Sequence, residues 1–148
     1  MANTVLGNVI APKRTTANFD KTNTTLANIT GLTFDVVAGR AYRFVFQGNT
    51  SLAAAGGERW AISGTCTATN INYSIFSFTT AAGIPISTQE NALGGEADNG
   101  GYTASIVKIE GAILVANAGT LTVQFAQSAA SGTSSVLPNA TFEIQEIA

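Results

Sequence analysis

Apolar side chains recur at every second position along much of this chain. The pattern is clearest in residues 32–37 and again in residues 42–47, which are separated by Ala38-Gly39. A period of two places successive side chains on opposite faces of a β-strand. The sequence therefore predicts two strands joined by a tight turn, a hairpin. Gly39 suits that turn because glycine adopts a positive φ without a steric penalty.

Further segments with the same period lie downstream, at residues 59–65, 71–78, 105–115, 121–126 and 142–147. One of them, residues 71–78, is apolar on both faces. Phe76 and Phe78 lie on one face of this segment. Ile75 and the apolar residues two and four positions before it lie on the other. We expect this strand to be covered on two sides, one of them by a neighbouring subunit. Gly111 interrupts the longest segment and marks a bulge or a close approach of two strands.

About eight strands with turns between them and no helical periodicity predict an all-β fold, an antiparallel β-sandwich or jelly roll. Residues 23–148 form the sandwich domain in this interpretation, and residues 1–22 form an N-terminal arm or an edge strand. The side chains expected to supply much of the core are Phe34, Tyr42, Phe44, Trp60, Ile62, Ile109, Ile113, Leu121, Val123 and Phe125.

Charge is scarce in this chain. Hydrophobic residues make up 45% of it and charged residues only 11%, where a soluble domain carries about a quarter. Two interpretations remain open: a surface suited to close contact with another protein, or a β-rich protein with threonine-covered outer faces. The net charge is −2 and the seven Lys and Arg are scattered, so we expect no nucleic-acid partner.

Cysteine and histidine usage restricts both chemistry and location. Cys66 is the single cysteine and histidine is absent, which excludes an internal disulfide and any His-based nucleophile pair or metal site. We expect Cys66 to be a buried structural thiol. The N-terminal residues lack the apolar core of a signal peptide, and no apolar run has membrane-spanning length. These features predict synthesis in a reducing cytoplasm and no membrane partner.

Acidic residues concentrate in residues 79–102, a glycine-rich segment that we interpret as a long loop, and loops of that length are frequently functional. Its candidate surface consists of Glu90, Glu96, Asp98 and Tyr102. Residues 96–100 lack the further ligands of a calcium loop. Glu58 and Glu110, the other acids considered for paired-carboxylate hydrolysis, are interpreted as surface residues. We therefore expect no catalytic residue, no bound metal and no cofactor.

The N-terminal segment combines apolar and basic side chains. Such a mixture can add a strand to the edge of a partner's sheet and pair with acidic groups there, and an ordinary edge strand of the chain's own sheet is the alternative. The residues proposed for contact with a partner are Val5, Leu6, Val9, Ile10, Lys13 and Arg14.

One stretch resembles a known family. Residues 23–46 (NTTLANITGLTFDVVAGRAYRFVF) are similar to the strand pair that opens a small β-sandwich of phage virion proteins. Trp60-Ala61-Ile62-Ser63-Gly64, Ile109-Glu110-Gly111-Ala112-Ile113 and Ala118-Gly119-Thr120-Leu121 continue the likeness, which covers roughly residues 23–147.

The family's domains occur in capsid decoration (cement) proteins and at the ends of tail or fibre proteins, commonly as trimers. The resemblance therefore implies a structural protein on the capsid surface of the virion, made in the host cytoplasm. Its partners would be itself, as a homotrimer, and the major capsid protein. It implies no catalytic residue. The alternative is a tail-tip or fibre-end module that binds a host surface glycan through residues 79–102.

Overall fold

The computed structural model describes residues 9–79, 85–99 and 104–147. Strands and connecting turns make up these residues, with no helix among them, and hence none long and apolar enough to cross a membrane. The strands are β1 (Val9–Arg14), β2 (Phe19–Lys21), β3 (Ala27–Val36), β4 (Ala41–Ser51), β5 (Glu58–Ser63), β6 (Thr67–Thr79), β7 (Pro85–Glu90), β8 (Ala97–Asn99), β9 (Ala104–Asn117), β10 (Gly119–Ala126), β11 (Ser134–Val136) and β12 (Thr141–Glu146).

These strands form two antiparallel sheets. The larger, eight-stranded sheet has the order β1-β12-β4-β9-β6-β7, with β11 pairing with β2 and β4 at one end. The four-stranded sheet has the order β3-β10-β5-β8. The chain changes sheet at every connection from β2 to β6 and from β7 to β11, which is how a jelly roll wraps. The predicted fold class, an antiparallel all-β sandwich or jelly roll, is confirmed.

The predicted hairpins are wrong in their pairing. The turn at Gly39 exists and has φ +75°, but β3 pairs with β10, whereas β4 pairs with β9 and β12. The two strands therefore face each other across the core as an arch. The same holds for β9 and β10. Alternation and turn residues are identical for a hairpin and an arch, so the sequence pattern does not distinguish them.

The core lies between the two sheets and contains every side chain predicted for it. Trp60 is its centre, fully buried, with ring centroids 4.8 Å from Phe125 and 5.2 Å from Phe46. Phe44 adds contacts to Tyr73 and Phe142. Tilted and edge-on aromatic pairs of this kind stabilise a core beyond their buried area.

The interpretation of residues 79–102 as one long loop is wrong in part. Residues 85–90 form β7, which pairs with β6 and extends the eight-stranded sheet. Residues 97–99 form β8, which pairs with β5 in the other sheet. Pro85, Gly94 and Gly95 lie at or beside the ends of these short strands, and Gly83, Gly100 and Gly101 lie outside the described residues.

Gly111 is a point of close approach between β9 and β6. A Cβ at this position would lie 2.3 Å from the Asn72 carbonyl oxygen and 2.4 Å from the Tyr73 Cβ. The register between the two strands is unbroken there. Of the two predicted roles, close approach is therefore the one the structure shows.

Candidate functional site

Two acids of residues 79–102, Glu96 and Asp98, are paired within the chain. Arg59 on β5 forms ion pairs with Glu96 (3.5 Å from Nε to Oε2) and with Asp98 (3.1 Å from Nη2 to Oδ2). The Ser128 hydroxyl also donates to Asp98. These two carboxylates therefore share one guanidinium, and across residues 9–79, 85–99 and 104–147 no cluster of acids or Cys could hold a metal ion.

Glu90 lies apart from that group. It is opposite Tyr73 in the β6–β7 register, and its Oε2 occupies the space where a Cβ on Gly95 would lie. Burial raises the pKa of the Tyr73 phenol to about 12, and the nearby Glu90 carboxylate contributes to the rise. Tyr102 lies outside the described residues. The structure thus brings Glu96 and Asp98 together but does not add Glu90 to them.

The N-terminal candidates lie in the chain's own edge strand where the structure describes them. Ile10 packs against the core, and Val9 opens β1, which pairs with β12. The Lys13 ammonium donates to the Thr33 carbonyl and lies 4.8 Å from the ring centroid of Phe34.

Arg14, the last of these candidates, donates to the Asn139 side chain. Val5 and Leu6 lie outside the described residues. From Val9 to Arg14 the chain is therefore an edge strand of its own sheet, with its basic side chains bonded within the molecule.

Glu58 contradicts the expectation of a surface acid. It is fully buried at the start of β5 and points into the sandwich. The Ser77 hydroxyl donates to Oε1 at 2.6 Å, and the Ser105 hydroxyl donates to Oε2 at 2.6 Å. Thr50 and Ser105 are joined through their hydroxyl oxygens at 2.8 Å. We call Glu58, Thr50, Ser77 and Ser105 the buried carboxyl cluster.

This cluster links the two sheets. Glu58 comes from the four-stranded sheet, while its three hydroxyl partners come from β4, β6 and β9 of the eight-stranded sheet. Its donors are neutral hydroxyls, so burial dominates and raises the pKa of the Glu58 carboxyl above its ordinary value, although the Ser105 and Ser77 hydrogen bonds oppose the rise. Because no part of Glu58 reaches the surface, the cluster is suited to holding the sheets together rather than to contacting a substrate.

A signal for the burial of Glu58 was present in the sequence. Trp60 and Ile62 were expected on one inward face of this strand, and Glu58 precedes Trp60 by two residues. Extending the alternation by one position places the carboxyl on the same face. The prediction began the strand at Arg59 and so missed it.

Cys66 is buried, as the sequence predicted. Burial raises the pKa of its thiol. A thiol that is both covered and less ionised is a poor nucleophile, which supports a packing role.

The outer face of the eight-stranded sheet carries an apolar row. Phe78 on β6 lies between Ile106 on β9 and Pro85 on β7 in the strand register. Phe78 is 47% exposed and Ile106 is 48% exposed. Ile71, Tyr73 and Ile75 of the same strand are buried. The prediction that β6 is apolar on both faces is confirmed, and its outer face is open within this chain.

Few charges surround the row. On the outer face of β12, β4, β9, β6 and β7, the strand registers place two basic side chains, Arg43 and Lys108, and two acidic ones, Glu110 and Glu143. Lys108 and Glu110 already form an ion pair at 2.7 Å. This face, with its row of Ile106, Phe78 and Pro85, is the candidate functional surface of the chain, and sequence reasoning marked only Phe76 and Phe78 of it.

No protein-family model and no curated protein sequence matches this chain. Among solved structures, it is similar to Eiger TNF from S. frugiperda, with a TM-score of 0.45, 11% identity, and 95% of this chain and 94% of that chain covered. It is also similar to TmCBM61 in complex with beta-1,4-galactotriose, with a TM-score of 0.32, 11% identity, and coverage of 81% and 86%. A lipoprotein of Bacteroides thetaiotaomicron gives a TM-score of 0.29 and 5% identity over 100% of this chain and 92% of that one. Likeness at this level concerns the fold alone.

Proposed function

We propose that this chain is a structural protein that works by contact with other proteins, and specifically that it decorates a phage capsid. The observation that carries the general part is the outer face of the eight-stranded sheet, which combines a half-exposed apolar row with balanced charges. Exposed apolar surface rimmed by polar residues marks protein contact sites. The virion assignment rests on the resemblance of residues 23–147 to phage virion proteins, since the three similar structures above are not described as virion proteins.

In this role the chain is a homotrimer on the outer surface of the virion, made in the host cytoplasm, and it joins neighbouring subunits of the major capsid protein. A trimer that engages several subunits at once gains from effective concentration. Modest contacts by each copy then add up to lasting attachment. Low charge suits such a contact, because few ionic groups lose water when it forms.

The proposed function includes no catalysis, cofactor or metal. Two features of the described residues support this. The Glu58 carboxyl is sealed inside the sandwich, and the Glu96 and Asp98 carboxylates are paired with Arg59. Glu58 is therefore closed to a substrate, and the charges of Glu96 and Asp98 are offset by Arg59.

The test is to add the purified chain to phage shells that lack their outer decoration. We expect saturable binding and a higher thermal midpoint for the shell. A variant with Val5→Ser and Leu6→Ser tests the N-terminal contact, and Val37→Thr, at an exposed turn position, is the matched control. The double variant should bind more weakly than the control.

Two results would contradict the proposal. Shells that stay bare at saturating protein exclude decoration. Adherence to host cells or to a glycan panel instead, abolished by Glu96→Ala with Asp98→Ala, would favour the tail-tip or fibre-end role.

A further inference from the structure

The apolar row on the outer face is exposed, and the residues around it indicate what kind of partner covers it. Ile106, Phe78 and Pro85 lie side by side on three adjacent strands, and Phe76 is half-buried in the next row. A single exposed apolar side chain on a surface is ordinary, whereas neighbouring exposed side chains indicate a contact site.

The edges of both sheets are poorly suited to pairing with another chain. β1 contains Pro12, which lacks an N–H group, and its register shifts between Ile10 and Lys13. β7 begins at Pro85, β8 has three residues, and β3 has a positive φ of 86° at Gly31 in its interior. Proline, bulges and short strands are the devices that protect sheet edges from strand addition. Contact between copies is therefore expected at a face.

The charge on the outer face favours a second copy of the same chain. The charges of the two basic and two acidic side chains on this face cancel, and Lys108 and Glu110 are already paired with each other. A strongly acidic or basic partner would gain little from such a face, because long-range attraction requires a net charge. A copy of this chain meets no net repulsion there.

The area of the face is close to that of a standard interface. Its five strands span about 24 Å at about 4.8 Å between strands, and the rows from Ile106 to Leu114 add about 27 Å at 3.4 Å per residue. The projected area is about 650 Å², and a corrugated surface exposes more than its projection, so the face approaches the ~800 Å² per partner of a standard interface.

We propose that copies of this chain associate through the outer face of β12, β4, β9, β6 and β7, with Phe78 and Ile106 as the main apolar contact residues at one end of that face. This deepens the proposed function, on which it rests, by assigning the surface that forms the homo-oligomer. A few well-packed side chains that lose their water on contact carry most of the binding energy of an interface.

Sedimentation velocity of the full chain tests the proposal. The concentrations run from 1 to 50 µM, on the order of the dissociation constants of modest protein interfaces. The variant is Phe78→Thr with Ile106→Thr, which keeps residues that favour strands. The control is Val37→Thr, because Val37 is 57% exposed and lies in the turn after β3, away from the row. Circular dichroism and thermal unfolding establish that all three proteins are folded.

We expect the wild type and the control to be oligomeric and the double variant to associate about 100-fold more weakly, or to be monomeric, since loss of the main apolar contact residues typically reduces affinity by one to several factors of ten. A monomeric wild type at 50 µM, or a double variant as oligomeric as the control, would overturn the proposal. A double variant that stays oligomeric yet loses shell binding would assign the face to the capsid, which overturns this inference while the proposed function stands. If the double variant is monomeric but the wild type leaves shells bare, this inference stands and the proposed function is wrong.

Discussion

Replacing Glu58 by glutamine removes the ionisable group of the buried carboxyl cluster while keeping its size. Folding places the carboxyl among the hydroxyls of Ser77, Ser105 and Thr50, away from water and without a cation partner in the hydrogen bonds that the structure shows. The burial cost falls on the charged form. Burial therefore raises the pKa of Glu58 in the folded chain above its ordinary value of 4.5.

The sign of the pH dependence follows from proton binding. Between pH 4.5 and the raised pKa, the folded chain holds a proton on Glu58 that the unfolded chain has lost. The contribution of Glu58 to stability is therefore fully present below pH 4.5 and is lost as the pH rises through the folded-state pKa. For one proton the slope reaches about 1.4 kcal/mol per pH unit. Glutamine is uncharged throughout, so the variant lacks this slope.

Urea unfolding of the wild type and Glu58→Gln from pH 4 to pH 8, a range spanning the ordinary carboxyl pKa and neutrality, measures the difference, with Glu143→Gln as the control at an exposed strand position. The free energy of unfolding of Glu58→Gln should rise relative to the wild type as the pH increases. The control retains Glu58, so its free energy of unfolding should show the same fall with pH that loss of the Glu58 proton causes in the wild type. Parallel curves for Glu58→Gln and the wild type would refute the reasoning, because they would mean that the hydroxyl donors fully offset the burial.

Three further predictions concern packing and reactivity. Phe44→Ala should lower the free energy of unfolding by about 3–5 kcal/mol, measured by urea titration; a loss below about 1 kcal/mol, the range of tolerated core swaps, would contradict the core assignment. Gly111→Ala should lose about 1–3 kcal/mol through overpacking against the Asn72 carbonyl, and an unchanged thermal midpoint would show that β6 yields there. Cys66 should react slowly with a disulfide reagent in the native protein and rapidly in denaturant, because its thiol is buried and its pKa is raised; equal rates would exclude a covered thiol.

The buried faces of this fold could be predicted from sequence because alternation alone assigns them. Phe34, Phe44, Trp60 and Phe125 all lie where a period of two places them. The sheet to which each strand belongs could not be predicted in this way. β3 and β4 read as a hairpin, yet their hydrogen bonds go to β10 and to β9 and β12. That choice depends on contacts distant in sequence, which local patterning does not encode.

The candidate surface was predictable only in part for the same reason. Phe76 and Phe78 are visible in the sequence as a second apolar face of β6, but Ile106 and Pro85 join them only through the strand registers. The hydroxyl partners of Glu58 likewise lie 8, 19 and 47 residues away along the chain. An isolated acid after Gly56-Gly57 resembles a solvent-exposed turn until those strands are placed beside it.

The most direct test of the central claim, that this chain works by protein contact through the outer face of its eight-stranded sheet, is site-specific photo-crosslinking. A photoreactive phenylalanine replaces Ile106 on that face in one protein and Asp35, exposed on β3 of the other sheet, in a second. Both are irradiated in solution and after addition to phage shells, and the products are identified by mass. We predict adducts between two copies of the chain from position 106 and none from position 35. Adducts from position 35 alone, or from neither position, would contradict the account.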